Sequence, residues 1–403
     1  MNIPAISLAY LRARPLNTLL NLALLALGIA TIALLVLATH QLEERMQRDA
    51  QAVDLVAGAK GSPMQLILSA VFHLDAPTGN IPLSDANDLS RHPMVKQAIP
   101  LALGDSYKGF RIVGTSHDYP ALYAGQPVAG RLWQKPLEAV LGAEAARETG
   151  LAPGATFAGS HGLEGDGDTH AAMPYTVVGV LAPTGSVLDR VVLTSVESVW
   201  AVHQHGEPGD DPQKLVDAMD EAEKELTALL IRYRSPIAAA ILPRFVNATP
   251  SLQAASPALE SARLFRMIGV GVEVMRAFGL ALVLAAGLSV FIALLNALEE
   301  RRYDLAVMRM LGASPGRLMR LMVFEGLMLA MAGALAGLVL GHVLAEALGA
   351  MLRAAHQPAI TGWTFVADEL WLLALALFTG LAAALLPAWR AAHTDVAAVL
   401  ADT

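Results

Sequence analysis

The feature that most constrains this chain is a set of four apolar stretches, each long enough to form a membrane-spanning helix. Such a helix needs about 20 apolar residues to cross roughly 30 Å of hydrocarbon. The stretches lie at residues 15–39, 277–298, 321–345 and 370–389. Only Glu325 and His342 interrupt the third. We therefore predict an α-helical membrane protein with one helix before, and three helices after, a large intervening segment.

The distribution of arginine predicts how these helices are oriented. The first apolar run exceeds the 7–15 residues of a signal peptide, so we expect a permanent anchor. Arginines concentrate before the first helix and in the 299–320 loop, whereas the 346–369 loop has only Arg353. Because cytoplasmic loops carry excess Lys and Arg, we expect both termini (1–14 and 390–403) and the 299–320 loop to be cytoplasmic.

The same orientation, in a bacterial cytoplasmic (inner) membrane, places residues 40–255 outside the cytoplasm. If the cell has two membranes, this segment lies in the periplasm. The whole chain has no cysteine, which excludes disulfides and thiolate metal sites and suits an oxidising compartment. Its formal net charge is −8, and no basic stripe remains outside the membrane flanks. Nucleic acid is therefore not an expected partner. Membrane lipid is an expected partner because of the four apolar stretches.

Residues 40–255 alternate between strand-like and helix-like patterns, which predicts a mixed α/β domain. The predicted strands cover residues 99–103, 110–114, 175–181, 190–194 and 227–233. The predicted helices cover residues 63–74, 196–203, 212–224 and 236–246. The glycine-rich 150–170 stretch is interpreted as connecting loops. Residues 256–276 are amphipathic and have no proline after Pro257, so we expect a helical stalk leading into the second membrane helix.

Two loops of this domain each contain two histidines close to carboxylates. One loop contains His161 and His170, and the other contains His203 and His205. Two histidines with carboxylates are enough to hold zinc. However, no helix or tight turn fixes their spacing, and Gly/Asp-rich loops are usually solvated connections. The sequence therefore favours solvated loops over a metal site, while slightly favouring a metal-binding accessory protein among the candidate partners.

A carboxylate and a stripe of glycines mark the third membrane helix. Glu325 lies about one turn inside its cytoplasmic end, where an ionisable residue is costly and suggests function. We expect it to reach headgroup water or to pair with Arg320 or a neighbouring helix, in a structural or coupling role. Gly333, Gly337 and Gly341 recur every four residues and predict close packing against another helix, which we favour slightly as one of the same chain.

The cytoplasmic loop between the second and third membrane helices contains the most informative pattern. Leu305, Met308 and Leu311 lie at i, i+3 and i+6, which predicts a short helix over 303–311 with an apolar ridge between arginines. Gly312 suits the end of that helix. Such a helix is suited to dock into a groove on another protein. The alternative is a helix lying on lipid headgroups.

The run Glu300–Ser314 (ERRYDLAVMRMLGAS) resembles the signature of FtsX-like, MacB-type ABC transporter permeases. The C-terminal run LPAWRAA at 386–392 resembles the closing motif of the same family. The layout of one helix, an external domain and three helices is similar too. The resemblance implies an external domain with one lobe at about 40–100 plus 210–260, and an inserted lobe at about 105–205.

The resemblance also implies partners. It implies a dimer of permeases, either two copies of this chain or this chain with a paralogue, on a dimer of separate ABC ATPases. Neither a Walker A motif nor room for a nucleotide-binding domain exists here, so ATP and Mg²⁺ would bind only to the partner, and this chain is expected to be no enzyme by itself. The residues it implies for ATPase coupling are Tyr303, Leu305, Met308, Arg309, Leu311 and Gly312.

Three functions are therefore weighed. The leading hypothesis is mechanotransmission, in which ATP hydrolysis by the partner rearranges the external domain to export, extract or expel a substrate, with or without a periplasmic accessory protein. The alternative is a signalling subunit that regulates an external partner such as a cell-wall hydrolase. A membrane enzyme is disfavoured because neither H-E-x-x-H nor a pair of intramembrane aspartates occurs.

Overall fold

The structure is a computed structural model that describes residues 3–162, 169–204, 209–355, 357 and 359–393. The chain divides into two compact units. The membrane unit combines Met1–Leu42 with Ile268–Thr403, and the external unit is Glu43–Met267. Each is described by itself.

Helices and strands alternate through the external unit, and long helices dominate the other. The helices are α1 (Ile3–Ala13), α2 (Pro15–Gln51), α3 (Pro63–Ala70), α4 (Leu83–Ser90), α5 (Asp118–Leu122), α6 (Ala143–Thr149), α7 (Val196–His203), α8 (Pro212–Ala218), α9 (Ala238–Ala248), α10 (Pro257–Glu300), α11 (Arg302–Met310), α12 (Pro315–Ala354) and α13 (Glu369–Ala392). The strands are β1 (Leu55–Ala59), β2 (Ile81–Pro82), β3 (Val95–Tyr107), β4 (Phe110–Thr115), β5 (Pro127–Gly130), β6 (Glu138–Leu141), β7 (Thr156–Phe157), β8 (Ser160–His161), β9 (Tyr175–Leu181), β10 (Val191–Ser195), β11 (Glu225–Leu226), β12 (Ala228–Tyr233) and β13 (Leu252–Ala255).

Within the described residues, four helices are long and apolar enough to cross a membrane, namely α2, α10, α12 and α13. Their most apolar windows have a mean hydropathy of 2.1 to 2.6. They contain the four stretches identified in the sequence, and the mixed domain lies between the first and the second of them. The predicted fold class is thereby confirmed. Helix α10 is continuous from Pro257, so the predicted stalk and the second membrane helix are one helix.

The glycine stripe of α12 packs against α2 of the same chain. A Cβ atom added at Gly337 would lie 2.7 Å from Ile29 Cβ and 2.8 Å from the Ala26 carbonyl oxygen. Added Cβ atoms at Gly333 and Gly341 would each lie 2.8 Å from a side chain of α2. Since the hydrophobic effect does not drive helices together in lipid, this close backbone approach is what holds α2 against α12.

Most strands of the external unit belong to one mixed sheet, in the order β13-β1-β12-β3-β4-β10-β6-β9-β5. Two clusters of apolar side chains lie among the described residues of this unit. One cluster surrounds β1, β12 and α9, and the other surrounds β6, β9 and β10. Helix α7 contributes Val199 to the first and Val202 to the second. The exact lobe boundaries stay a prediction.

The five predicted strands coincide with parts of β3, β4, β9, β10 and β12, but two other expectations need correction. The 150–170 stretch contains β7 and β8 as well as loops. These strands were not predicted because two residues are too few to show an alternating pattern. The predicted helices 63–74 and 212–224 end earlier, at Ala70 and Ala218. In the second case Met219 already adopts an extended conformation.

Replacing Gly337 with leucine should destabilise the membrane unit. The new side chain would overlap Ile29 and the Ala26 carbonyl, and overpacking of this kind costs about 1–3 kcal/mol. We expect a melting temperature several degrees lower for the full chain in detergent. Val339→Leu, on the exposed face of the same helix, is the matched control and should melt as the wild type does. Equal melting temperatures for both variants would contradict the packing.

Candidate functional site

Helix α11, which lies in the predicted 303–311 position, ends in a well-defined cap. Gly312 has a φ of +94°, in the left-handed region that favours glycine. The Gly312 N–H donates to the Arg309 carbonyl, and the Ala313 N–H donates to the Met308 carbonyl, each at 3.0 Å. This Schellman motif fixes the turn into α12, which begins with Pro315.

The apolar ridge predicted on α11 is divided between two environments. Leu305 is completely buried and packs with Leu298, Leu318 and Ala388 of the neighbouring membrane helices. Met308 is partly buried against the same cluster. Leu311, in contrast, is 83% exposed. The expectation that all three form one outward docking face is therefore wrong, because a nine-residue helix held against a bundle must bury one side.

The exposed apolar surface lies instead near the two ends of α11. Met310 is 60% exposed beside Leu311, and Tyr303 is also exposed at the start of the helix. Arg309 donates from Nη1 to the Ala392 carbonyl at the end of α13, at 3.1 Å. Arg309 thus joins α11 to the bundle, whereas the apolar residues around it remain open.

Glu325 pairs with a residue of the 299–320 loop that sequence reasoning did not select. Arg301 Nη1 lies 3.2 Å from Glu325 Oε2, and both side chains are buried. The Arg301 guanidinium also lies over the Tyr10 ring of α1, 3.6 Å from its centroid. The expected partner Arg320 is exposed and donates to the Gly316 carbonyl. The arginine directly before α11 is therefore held by a buried charge in α12.

Another polar cluster joins the external ends of α12 and α13. His342 Nε2 lies 2.8 Å from Glu369 Oε2, and its Nδ1 lies 2.6 Å from the Gly362 carbonyl oxygen. Glu369 is buried and accepts a hydrogen bond from the Val366 N–H. In sequence the two residues are separated by a loop, so no spacing rule links them.

Three of the four histidines singled out in the external domain converge on one carboxylate. His161, His170 and His203 surround Asp105, and one ligand atom from each of the four residues lies within 4.8 Å of the others. The distances to Asp105 Oδ1 are 3.2 Å from His161 Nδ1, 3.5 Å from His170 Nε2 and 3.5 Å from His203 Nε2. His205 lies outside the described residues.

Separate elements bring these side chains together. Asp105 is on β3, directly opposite His161 in the antiparallel pairing with β8. The β3–β4 register shifts between Leu103 and Ser106, and such a bulge re-aims the side chains beside it. His203 is the last residue of α7. Asp105 was not predicted, because a lone aspartate within a strand gives no spacing signal.

Burial and charge act differently on the histidines of this cluster. Burial lowers the pKa of His170, with the neighbouring histidines adding to the effect. Close contact with the Asp105 carboxylate raises the pKa of His203. Asp105 is only 2% exposed, while His161 is open to solvent. The carboxylate therefore forms the floor of a small imidazole cluster that opens outward.

Comparison with known proteins gives matches over most of the chain. Residues 18–259 match the model of the MacB-like periplasmic core domain, and residues 276–396 match the model of the FtsX-like permease C-terminal domain. The lipoprotein-releasing system transmembrane protein LolE of Haemophilus influenzae is 33% identical over 140 residues. That alignment covers 30% of this chain and 34% of LolE, so the chain spans about a third of that relative's length.

Two solved structures are similar to about half of the chain. The periplasmic region of MacB from Actinobacillus actinomycetemcomitans is 13% identical in sequence, with a TM-score of 0.35. The superposition covers 54% of this chain and 97% of the MacB chain. The extracellular domain of the noncanonic ABC-type transporter YknZ from Gram-positive bacteria is 14% identical, with a TM-score of 0.29 over 50% of this chain and 98% of its own. Because the MacB-like model alone matches more than half of the residues, the chain belongs to the family of ABC transporter permeases that join a MacB-like periplasmic core domain to an FtsX-like membrane domain.

Proposed function

We propose that this chain is the membrane subunit of an ABC complex in which a separate cytoplasmic ATPase drives rearrangement of the external domain. The observation that carries the proposal is the two-sided character of α11. Its inner side is buried in the membrane bundle through Leu305, while Met310 and Leu311 are exposed at its end. An exposed apolar end beside a fixed inner face is suited to receive a partner's motion and pass it on.

Three contacts connect α11 rigidly to the bundle. Leu305 packs among membrane helices, Arg309 binds the end of α13, and Arg301 is held by Glu325 of α12. A displacement applied to α11 would therefore move α12 and α13 with it. We propose that this is the input side of the mechanism.

Helix α10 supports the output side of the proposal. The boundary between the two units, at Met267 and Ile268, falls inside this one continuous helix. The helix has no internal proline, so motion of its membrane part would be carried to its external part. Together these features make mechanotransmission the proposed mechanism, with ATP and Mg²⁺ bound by the partner.

Helix α10 also supports a second copy of this chain as a partner. Apolar residues near its external end, including Met267, Val270 and Val274, are exposed. These residues are spaced three and four apart, so they share one face of the helix. We propose that this face meets the same helix of a second permease, which would place two α11 helices on an ATPase dimer.

The substrate side is proposed from the named relative. LolE is described as a lipoprotein-releasing protein, which makes export or extraction of an external substrate the output we propose. Affinity purification of the full chain from gently solubilised native membranes, with an ATP analogue, tests the complex. We expect a separate P-loop ATPase at equal stoichiometry. Reproducible purification without an ATPase, in several detergents, would overturn the proposal and favour a stand-alone membrane receptor.

Substituting Leu311 with aspartate should abolish ATPase binding without unfolding the chain. Leu311 is exposed, so the charge costs little in the free subunit but would be buried at the proposed interface. We expect at least a tenfold loss of co-purified ATPase and an unchanged melting temperature. Val128→Asp, at an exposed apolar position of the external unit, is the control and should retain the ATPase.

Leu305→Asp provides the contrasting result. This carboxylate would be buried in the bundle, so we expect loss of folded protein rather than selective loss of the ATPase. If Leu311→Asp co-purifies with the ATPase as well as the wild type does, the exposed end of α11 is not the docking surface.

Removing the charge of Glu325 should weaken the contact between α12 and Arg301, the residue directly before α11. Glu325→Gln leaves Arg301 buried without its partner charge, and breaking a buried pair costs about 3–5 kcal/mol. We expect a lower melting temperature and weaker stimulation of the ATPase. The double variant Arg301→Met with Glu325→Leu removes both charges and should recover stability but not full stimulation.

The exposed pair of Arg302 and Glu299 serves as the control for Glu325. Exposed ion pairs contribute about 0–1 kcal/mol, so Glu299→Gln should change neither property. A Glu325→Gln variant as stable and as active as Glu299→Gln would show that the buried pair is not part of the coupling path.

A further inference from the structure

The cluster in the external unit has the composition of a metal site. We propose that Asp105, His161, His170 and His203 bind one divalent transition-metal ion of the Zn²⁺ class. The proposal concerns the external unit alone and does not depend on the proposed ATPase coupling. Its outcome can therefore differ from that of the co-purification experiment.

The donor set selects the class of metal. Three imidazole nitrogens and one carboxylate oxygen match the ligands that Zn²⁺ takes in proteins. Mg²⁺ and Ca²⁺ instead prefer oxygen ligands throughout. Because the chain has no cysteine, a thiolate-rich site for softer ions is excluded.

The spacing of the donor atoms fits a tetrahedral ion. With metal–ligand bonds of about 2.0–2.1 Å, two ligands of a tetrahedral site lie roughly 3.3–3.4 Å apart. The three nitrogens lie 3.2, 3.5 and 3.5 Å from Asp105 Oδ1. All four donor atoms lie within 4.8 Å of one another, so movements of the imidazole rings by about an ångström would complete the geometry.

The buried polar atoms of the cluster need a cation. Both carboxylate oxygens of Asp105 are buried, and among the described residues neither has a hydrogen-bond partner. The same holds for Nε2 of His170. A buried carboxylate without compensation is strongly unfavourable, and native structures rarely leave such groups unsatisfied. A bound metal ion would satisfy all three atoms at once.

His203 is oriented as a metal ligand would be. Its Nδ1 lies 2.7 Å from the Val199 carbonyl oxygen, so the neutral ring donates its N–H there. In that neutral ring Nε2 carries the lone pair that a metal ion would take, and it lies 3.5 Å from Asp105 Oδ1. Metal-bound histidines characteristically donate their second nitrogen to a carbonyl or carboxylate, and this bond fixes the tautomer.

Backbone contacts hold the ligands in place. The pairing of β3 with β8 fixes Asp105 opposite His161, and the His170 N–H donates to the Gly159 carbonyl at 2.9 Å. With four protein ligands the tetrahedron is closed, so the ion would connect β3, β8, the segment at His170 and α7 rather than activate water. The partly exposed imidazole of His161 leaves a path for the ion to enter.

Zinc binding by the purified full chain tests the proposal directly. The protein carries an affinity tag without histidine, is stripped with a chelator and is titrated with Zn²⁺ against a chromogenic competitor. We expect one equivalent of tightly bound Zn²⁺ per chain and a higher melting temperature when it is bound. His161→Ala and His203→Ala should each weaken binding by more than tenfold.

The choice of variants separates binding from folding. His161 is the most exposed ligand, so its removal should leave the metal-free chain as stable as before. His92→Ala removes a histidine of the same unit that contacts Phe245 instead, and it should bind Zn²⁺ as the wild type does. Absence of a tight equivalent in the wild type, or its retention in both ligand variants, would overturn the proposal.

Discussion

The packing of the membrane unit depends on how closely the backbones of α2 and α12 can approach each other, because the hydrophobic effect does not drive helices together in lipid. Lipid tails are as apolar as leucine, so packing must come from contact at short range. Glycines at every fourth position of α12 open a groove for α2, and Ile29 fills it at Gly337. The first membrane helix, α2, is distant in sequence but is thereby joined to the three C-terminal membrane helices.

The same medium explains why its buried charges come in pairs. An isolated ion in hydrocarbon is too costly to retain, so Arg301 and Glu325 lie together, with Tyr10 covering the guanidinium. The pair connects the residue before α11 to the third turn of α12. The cost of burying a single charge thus also gives α11 its connection to the bundle.

Much of this architecture could be predicted from the sequence because the signals are long or repeated. Four apolar runs defined the membrane helices, and the period of four in α12 identified its packing face. What could not be predicted depends on tertiary contact. The apolar residues of α11 are divided because Leu305 packs against membrane helices that are distant in sequence. Glu325 pairs with Arg301 rather than Arg320, and this too depends on tertiary contact.

The cluster around Asp105 shows the same limit more sharply. Its histidines lie in segments whose glycine and aspartate content is typical of solvated loops, and its carboxylate is a single strand residue. The register of β3 with β8, the position of α7 and the hydrogen bond of the His170 N–H to the Gly159 carbonyl bring the four residues together. Residue types alone suggested the chemistry, but sheet topology determined the arrangement.

The exposure of Leu311 and Met310 has a consequence for how the cell makes this protein. An exposed apolar end is the kind of surface that chaperones and proteases recognise, so the proposed ATPase would also protect the chain by covering it. Under that proposal, copies of the chain made in excess of the ATPase would be degraded first, and the abundance of the chain would follow that of its partner.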